Sequence, residues 1–238
     1  MPVEPPNPLR SGAPKNQDLL ELIRGKRERS WKPSIEELRS GFRGWHQRGY
    51  LPHFDAPGVS QMVTFMLADS FPVKRRSEWQ PILEEPDASA RRRKLETWLD
   101  RGHGECWLAR AKVAQVVEQV LREGDGTDFG LRAWVLMPNH IHLVVDVWTL
   151  PLSGLIKKWK GRSAQMANEV IRRAGRFWQQ DYYDTVIRDS GHLSRAIRYA
   201  EQNPVKAGLV LDSKSWGWGS AGLRNEFGRL QSSVPPPA

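Results

Sequence analysis

Hydrophobic and polar residues alternate along the chain in two periods. From Gln61 to Leu67, the β-branched and aromatic residues Val63, Thr64 and Phe65 lack helical spacing and predict a first strand. From Trp107 to Glu123, Val113, Val116, Val117, Val120 and Leu121 recur at helical spacing, and Gly124 supplies a stop, so a helix is predicted. Leu131 to Met137 reads as a strand, Pro138-Asn139 as its turn, and His140 to Val147 as a strand of period two. Strands this close imply an antiparallel pair. Leu155, Ile156 and Trp159, then Met166, Val170 and Ile171, mark one or two helices ending by Gly175. Phe177 to Arg188 returns to strand-like composition. A helix from about His192 to Asn203 is expected to stop there, because Pro204 disfavours helical geometry at the residue before it. Ala207 to Val210 is expected as a last strand. This order predicts an α+β fold, an antiparallel sheet flanked by helices.

The flanks read differently. Residues 1–58 alternate proline, glycine and charge around Ser34-Ile35-Glu36-Glu37-Leu38 and predict an N-terminal extension with one or two short helices. Within it, Gly44-Trp45-His46 to Asp55 reads as a DNA-contacting arm or a packed strap. Residues 59–215 form the expected domain, interrupted at about 71–105 by an insertion. That insertion carries Lys74-Arg75-Arg76 and Arg91-Arg92-Arg93-Lys94, expected as solvated surface charge. Residues 216–238 are expected as a C-terminal tail, disordered over Ser232 to Ala238.

Composition narrows the partner. The 238 residues are 39% hydrophobic, enough for one substantial core. Lys and Arg number 36 against 27 acids, a net charge of +9 that favours a polyanion over an acidic small molecule. Cys106 is the single cysteine, so neither an internal disulfide nor a cysteine zinc cage is available. The start of the chain lacks an apolar signal-peptide core and no 18-residue apolar run occurs, so a cytoplasmic, non-membrane protein is expected. Eleven tryptophans supply core filling first, and stacking surfaces for unpaired bases second.

Three groupings could carry chemistry. His140 and His142 lie on one face of their strand with Val144 and Asp146, while Ile141, Leu143, Val145 and Val147 form an apolar face expected to meet the core. The histidine face is then left to receive a ligand, and two neutral imidazoles can converge on one metal ion. By pattern alone the pair reads first as hydrogen-bonded surface histidines. Tyr199 and Asn203, four apart, share one helix face at the border of the stripe Leu193, Ala196, Ile197 and Ala200. A phenol can be a covalent nucleophile, although spacing alone favours a packing tyrosine and a helix-terminal asparagine before proline. From Pro151 to Arg176 seven basic residues face a single acid, Glu169, a density suited to phosphates or to an ordinary solvated helix face.

Taken together, Trp134-Val135-Leu136-Met137-Pro138-Asn139-His140-Ile141-His142-Leu143-Val144-Val145 resembles the signature strand pair of the single-tyrosine HUH transposases. Tyr182-Tyr183-Asp184, Ile187-Arg188-Asp189 and Tyr199-Ala200-Glu201-Gln202-Asn203-Pro204-Val205-Lys206-Ala207-Gly208 resemble the REP-associated branch of that family. The likeness runs from Gln61 to Val210. It implies a ferredoxin-like sheet with the tyrosine helix laid beside the H-x-H strand. By motif position it implies Tyr199 as nucleophile and His140, His142 and Asn203 as ligands of Mg2+ or Mn2+. It further implies cleavage of single-stranded DNA beside palindromic repeat hairpins through a 5′-phosphotyrosine. Lys157, Lys158, Lys160, Arg162, Arg188 and Lys206 are expected on the DNA. Two alternatives stand beside it: a protein that holds such hairpins without cutting, and a single-stranded RNA-binding module, which needs exposed aromatics on central strands. Monomer and homodimer both remain open.

Overall fold

The computed structural model describes residues 32–48 and 51–231. The expected tail disorder over 232–238, and most of the N-terminal extension, lie outside the described residues. The short helix expected near Ser34 is α1 (Ile35–Arg39), closed by a capping box in which Ser34 and Glu37 each bond the other's backbone N–H. A two-stranded antiparallel ribbon follows, β1 (Gly44–Arg48) and β2 (Leu51–Asp55).

Four strands make the central sheet: β3 (Ser60–Met66), β4 (Phe129–Leu136), β5 (His140–Val147) and β6 (Tyr183–Val186). All pairings are antiparallel, in the order β4-β5-β3-β6. The fold is thus the expected mixture of helices and an antiparallel sheet. Odd-numbered residues of β5 turn to one side. There Ile141, Leu143, Val145 and Val147 join Val63 and Phe65 under α4 (Ala111–Arg122) and α5 (Leu152–Ile171). Both helices bury the stripe that periodicity assigned them, Val113, Val117, Val120 and Leu121 from one, Leu155, Ile156 and Trp159 from the other. α5 is one continuous helix.

The opposite face is covered as well, which the alternation in β5 did not foretell. All eight residues of β5 are buried. α6 (Ser190–Lys206) lies on this side, packing Ala196 and Ala200 against Met62, Ala133 and Val144. Beside it lies the insertion, which folds into α2 (Arg76–Leu83) and α3 (Ala88–Asp100). Leu95, Trp98 and Leu99 of α3 cluster with Met66, and the Trp98 indole donates to the Ser70 carbonyl at 2.9 Å. The Arg91 to Lys94 run therefore belongs to a docked helix with one apolar side, not to a free surface loop.

Two expectations near the C-terminus fail for identifiable reasons. α6 does not stop at Asn203 but carries Pro204 inside its last turn. Pro204 removes one N–H donor, yet Asn203 and Pro204 are both buried, and the carbonyl of Asn203 still accepts from Ala207 N–H at 2.9 Å. Ala207 to Val210 is not a strand. Gly208 takes a left-handed conformation, φ +72°, and Leu209 N–H turns back to the Pro204 carbonyl at 2.9 Å. The free edge of β4 is met instead by Trp218 and Gly219, through Leu136 N–H to the Trp218 carbonyl at 2.8 Å.

The β1–β2 ribbon is a strap. Asp184 of β6 takes His53 Nδ1 at 2.5 Å, Phe54 N–H at 3.3 Å and Gln61 Nε2 at 3.1 Å, and the His53 ring stacks on Tyr182. This network ties the ribbon to the sheet edge.

Candidate active site

His140 and His142 occupy alternate positions of β5, so their rings project to the same side, and the covering helices bury both, each 1% exposed. Their Nε2 atoms approach to 3.1 Å. Neighbours set the tautomers. Asn139 Nδ2 donates to the His103 carbonyl at 3.1 Å, which turns Asn139 Oδ1 toward His140 Nδ1 at 2.8 Å. The amide oxygen can only accept, so His140 keeps its proton on Nδ1 and its lone pair on Nε2. Asn203 Nδ2 donates to His142 Nε2 at 3.3 Å, leaving His142 Nδ1–H for the Thr64 hydroxyl at 2.8 Å. Two lone pairs thus converge on one point.

Such a pair is unfavourable by itself and suits a cation. Two donors bound about 2.1 Å from one ion at roughly a right angle stand about 3 Å apart, which is the separation found. Burial, with Lys206 adding repulsion, pushes His140 down to about 3. Burial, then the charges of His140, Arg92 and Lys206, hold His142 well below its usual value. Both rings are neutral at neutral pH, the state that metal ligation requires. A third donor is at hand, because Asn203 Oδ1 is buried without a hydrogen-bond partner, and rotating the amide exchanges it with Nδ2. Among the described residues no group of three His, Cys, Asp or Glu could hold a metal, so any third ligand from a side chain comes from another residue type. Asp146 shares the histidine face, but Arg132 and Ser60 occupy its oxygens at 2.6 Å each.

Tyr199 stands one turn before Asn203 on α6, its ring edge-on to His142 with centroids 5.3 Å apart. Its hydroxyl is buried and faces the Glu96 carboxylate. Burial raises the phenol far above its usual range, the carboxylates of Glu96 and Asp100 on α3 raise it further, and Arg92 opposes them. Lys206 lies over the Tyr199 ring at 5.5 Å and pairs with Asp100 at 3.2 Å.

Of the residues singled out in the sequence, His140, His142, Tyr199, Asn203 and Lys206 come together here. The others do not. Lys157, Lys158, Lys160 and Arg162 lie on α5, across the sheet from the histidines. Lys158 pairs with Asp128 at 3.4 Å, Arg162 with Glu123 at 2.8 Å, and Lys160 bonds the Gln180 and Asp181 carbonyls at 2.8 and 3.2 Å. The apolar stripe of α5 chose its face, and the lysines had to follow on the outside. Arg188 is exposed before the start of α6. Sequence reasoning missed Thr64, Arg92, Glu96 and Asp100, none of which stands near the histidines or the tyrosine in sequence. The role of Asn139, adjacent to His140, was legible in principle from its side-chain chemistry.

Residues 107–203, which span the histidine strand, Tyr199 and Asn203, match the family model described as transposase IS200 like. Over these residues the chain is similar to the IS200-like transposases. Over 90 residues it is 28% identical to a REP-associated tyrosine transposase of Escherichia coli (strain K12), a match covering 37% of this chain and 52% of that protein. The chain thus spans about half the length of the curated relative it matches. Among solved structures, a REP-associated tyrosine transposase bound to a REP hairpin overlaps with TM-score 0.45 and 16% identity over 74% of this chain and 84% of that one. A Deinococcus radiodurans R1 protein described as a transposase overlaps with TM-score 0.35 and 14% identity over 66% and 96%. No described helix of the chain is long and apolar enough to cross a membrane.

Proposed function

We propose that this protein is a DNA transposase that cuts single-stranded DNA beside a palindromic repeat hairpin and holds the cut end as a 5′-phosphotyrosine on Tyr199. The observation that carries the reading is the convergence of the His140 and His142 Nε2 lone pairs at 3.1 Å beside a helix presenting Tyr199 and Asn203 on one face. His140, His142 and Asn203 would hold a divalent ion, Mg2+ or Mn2+, and two imidazoles make Mn2+ readily acceptable. Such an ion, when bound, supplies Lewis-acid polarisation of a phosphate oxygen.

The chain's own residues do the rest. Asn139 sets the His140 tautomer and Thr64 braces the His142 ring at Nδ1, which leaves both Nε2 atoms turned toward each other. α6 carries nucleophile and amide one turn apart, which sets the attacking oxygen relative to the histidines without a further conformational search. Attack by the Tyr199 oxygen forms the O–P bond as the phenol gives up its proton, and breaks the bond from phosphorus to the 3′-oxygen, which takes up one proton and leaves as a hydroxyl, so the exchange is proton-neutral. The phosphoester energy stays in the tyrosine link, available for joining to another strand.

One observation favours a second reading, hairpin binding without cutting: the Tyr199 hydroxyl is sealed, and two carboxylates face it. The RNA-binding alternative is disfavoured, since helices cover both sheet faces and leave no open aromatic platform. The test incubates the protein with labelled hairpin DNAs taken from its own genome's repeats, with Mn2+ or with EDTA, before denaturing electrophoresis. A metal-dependent protein–DNA adduct absent in Tyr199→Phe is expected. Salt-sensitive binding with no adduct under any metal would establish the second reading.

A further inference from the structure

The insertion does more than cover the sheet. Between α3 and β6, on the histidine face, lies a cavity of about 180 Å³. Its floor is Met62 and Thr64 of β3, and Leu95, Leu99 and Tyr183 form apolar walls. Arg91 and Arg92 of α3 also line it, within a run of four consecutive basic residues. Thr64 belongs to both places, since it lines the cavity and meets His142 Nδ1 at 2.8 Å. In register Thr64 stands between His142 on one side and Tyr183 on the other. The cavity wall is therefore two strand spacings, about 10 Å, from the proposed cutting site.

The chemistry of this cavity excludes several occupants. A free anion would meet mostly apolar walls, and a metal ion would lack ligands. The two acids present are engaged, Glu96 with Arg92 Nε at 3.0 Å and Asp184 with His53, Phe54 and Gln61. What remains is a slot with aliphatic and aromatic sides, room for one planar ring system, and the guanidinium of Arg91, since Arg92 is held by Glu96, Thr185 and Met62. That combination matches one unpaired nucleotide, its base between the walls and its phosphate at Arg91.

We infer that the cavity between α3 and β6 is a nucleobase subsite, which takes one unpaired base of the single strand next to the phosphate being cut. The inference rests on the cleavage reading for the identity of that strand. It assigns the insertion a role in substrate choice: the base at that one position is read by α3 and β6, not by the hairpin-binding surface.

The test uses two arms. In the first, Tyr199→Phe protein is mixed with hairpins carrying a single 4-thiothymidine at successive flanking positions, irradiated, digested and mapped by mass spectrometry. One position beside the cut should crosslink to the peptides containing residues 91–99 or 182–185. In the second, abasic substitutions scan the same flank. At that position alone the abasic substrate should be cut about tenfold more slowly by wild type, as loss of one base–aromatic contact predicts. The same substrate should lose less than about twofold with Leu95→Trp, which fills the slot, or with Tyr183→Ala, which removes the aromatic wall, should the first variant not fold. Crosslinks confined to α5 or to the β1–β2 ribbon, or an even response along the abasic scan, would overturn the subsite while leaving the cleavage reading intact. Crosslinks at the slot without any adduct in wild type would overturn the cleavage reading and keep the subsite. Failure to crosslink or bind any hairpin would overturn both.

Discussion

The two faces of the four-stranded sheet are equally buried and chemically opposite. Under α4 and α5 the sheet buries Ile141, Leu143, Val145, Val63 and Phe65 against aliphatic and aromatic partners. Under α3 and α6 it buries His140, His142 and Thr64, with Asn203 brought in from α6. A buried polar group costs free energy unless paired, and Asn203 Oδ1 on this face and Trp159 Nε1 under the other are left without partners. One face is organised almost wholly by apolar packing. The other gathers two imidazoles, a phenol and an amide, a difference that follows from side-chain identity and not from depth of burial.

Substitutions can break that contrast. The largest effect is expected for Tyr199→Phe, which should reduce adduct formation on the order of 10⁴-fold while hairpin affinity by fluorescence anisotropy stays within about twofold. An unchanged adduct yield would remove the nucleophile assignment. On the apolar face, Trp159→Ala should cost about 3 to 5 kcal/mol in urea unfolding. The fraction still folded should cut DNA at the wild-type rate, and a selective loss of activity would erase the division between the faces.

Second in line is the support of the histidines. Asn139→Ala removes the acceptor that fixes the His140 tautomer, and should weaken Mn2+ binding by about 10- to 100-fold by isothermal titration. Unaltered affinity would mean that His140 is not held for a metal. The smallest effect is expected for Asp100→Asn. Its pairing with the half-exposed Lys206 at 3.2 Å contributes below about 1 kcal/mol. Since the Asp100 charge helps raise the Tyr199 phenol, its removal should move that phenol's titration to lower pH, read by ultraviolet absorbance against Tyr199→Phe. A shift upward would contradict the electrostatic account of the site.

Much of this contrast was readable before any coordinates. The period of two from His140 to Val147 separated the polar from the apolar side, and the helical stripes of α4 and α5 announced which side they would cover. What periodicity could not convey is that a second layer closes over the histidines. The insertion has a weak stripe, Leu95, Trp98 and Leu99, set among arginines, and its sequence reads as solvated charge until Met66 is there to meet it. Pro204 misled for a related reason. Local backbone preference argued for a helix end, and the buried packing of Asn203 and Pro204 overrode it. The basic residues of α5 misled in the other direction, since charge density names a polyanion but not the face that meets it.

By itself the sequence determined the strand that carries the histidines, the helix that carries Tyr199 and Asn203, the antiparallel sheet, and the likeness to the IS200-like transposases. These are local properties, because period and spacing act within a dozen residues. Only the tertiary structure decided that the Nε2 atoms of His140 and His142 meet at 3.1 Å, that Asn139 and Thr64 brace their rings at Nδ1, and that Arg92, Glu96 and Asp100 arrive beside Tyr199. These depend on which side of the sheet each helix takes. That choice is made by burying apolar stripes against the strands, and the polar residues that make chemistry are carried to wherever those stripes land.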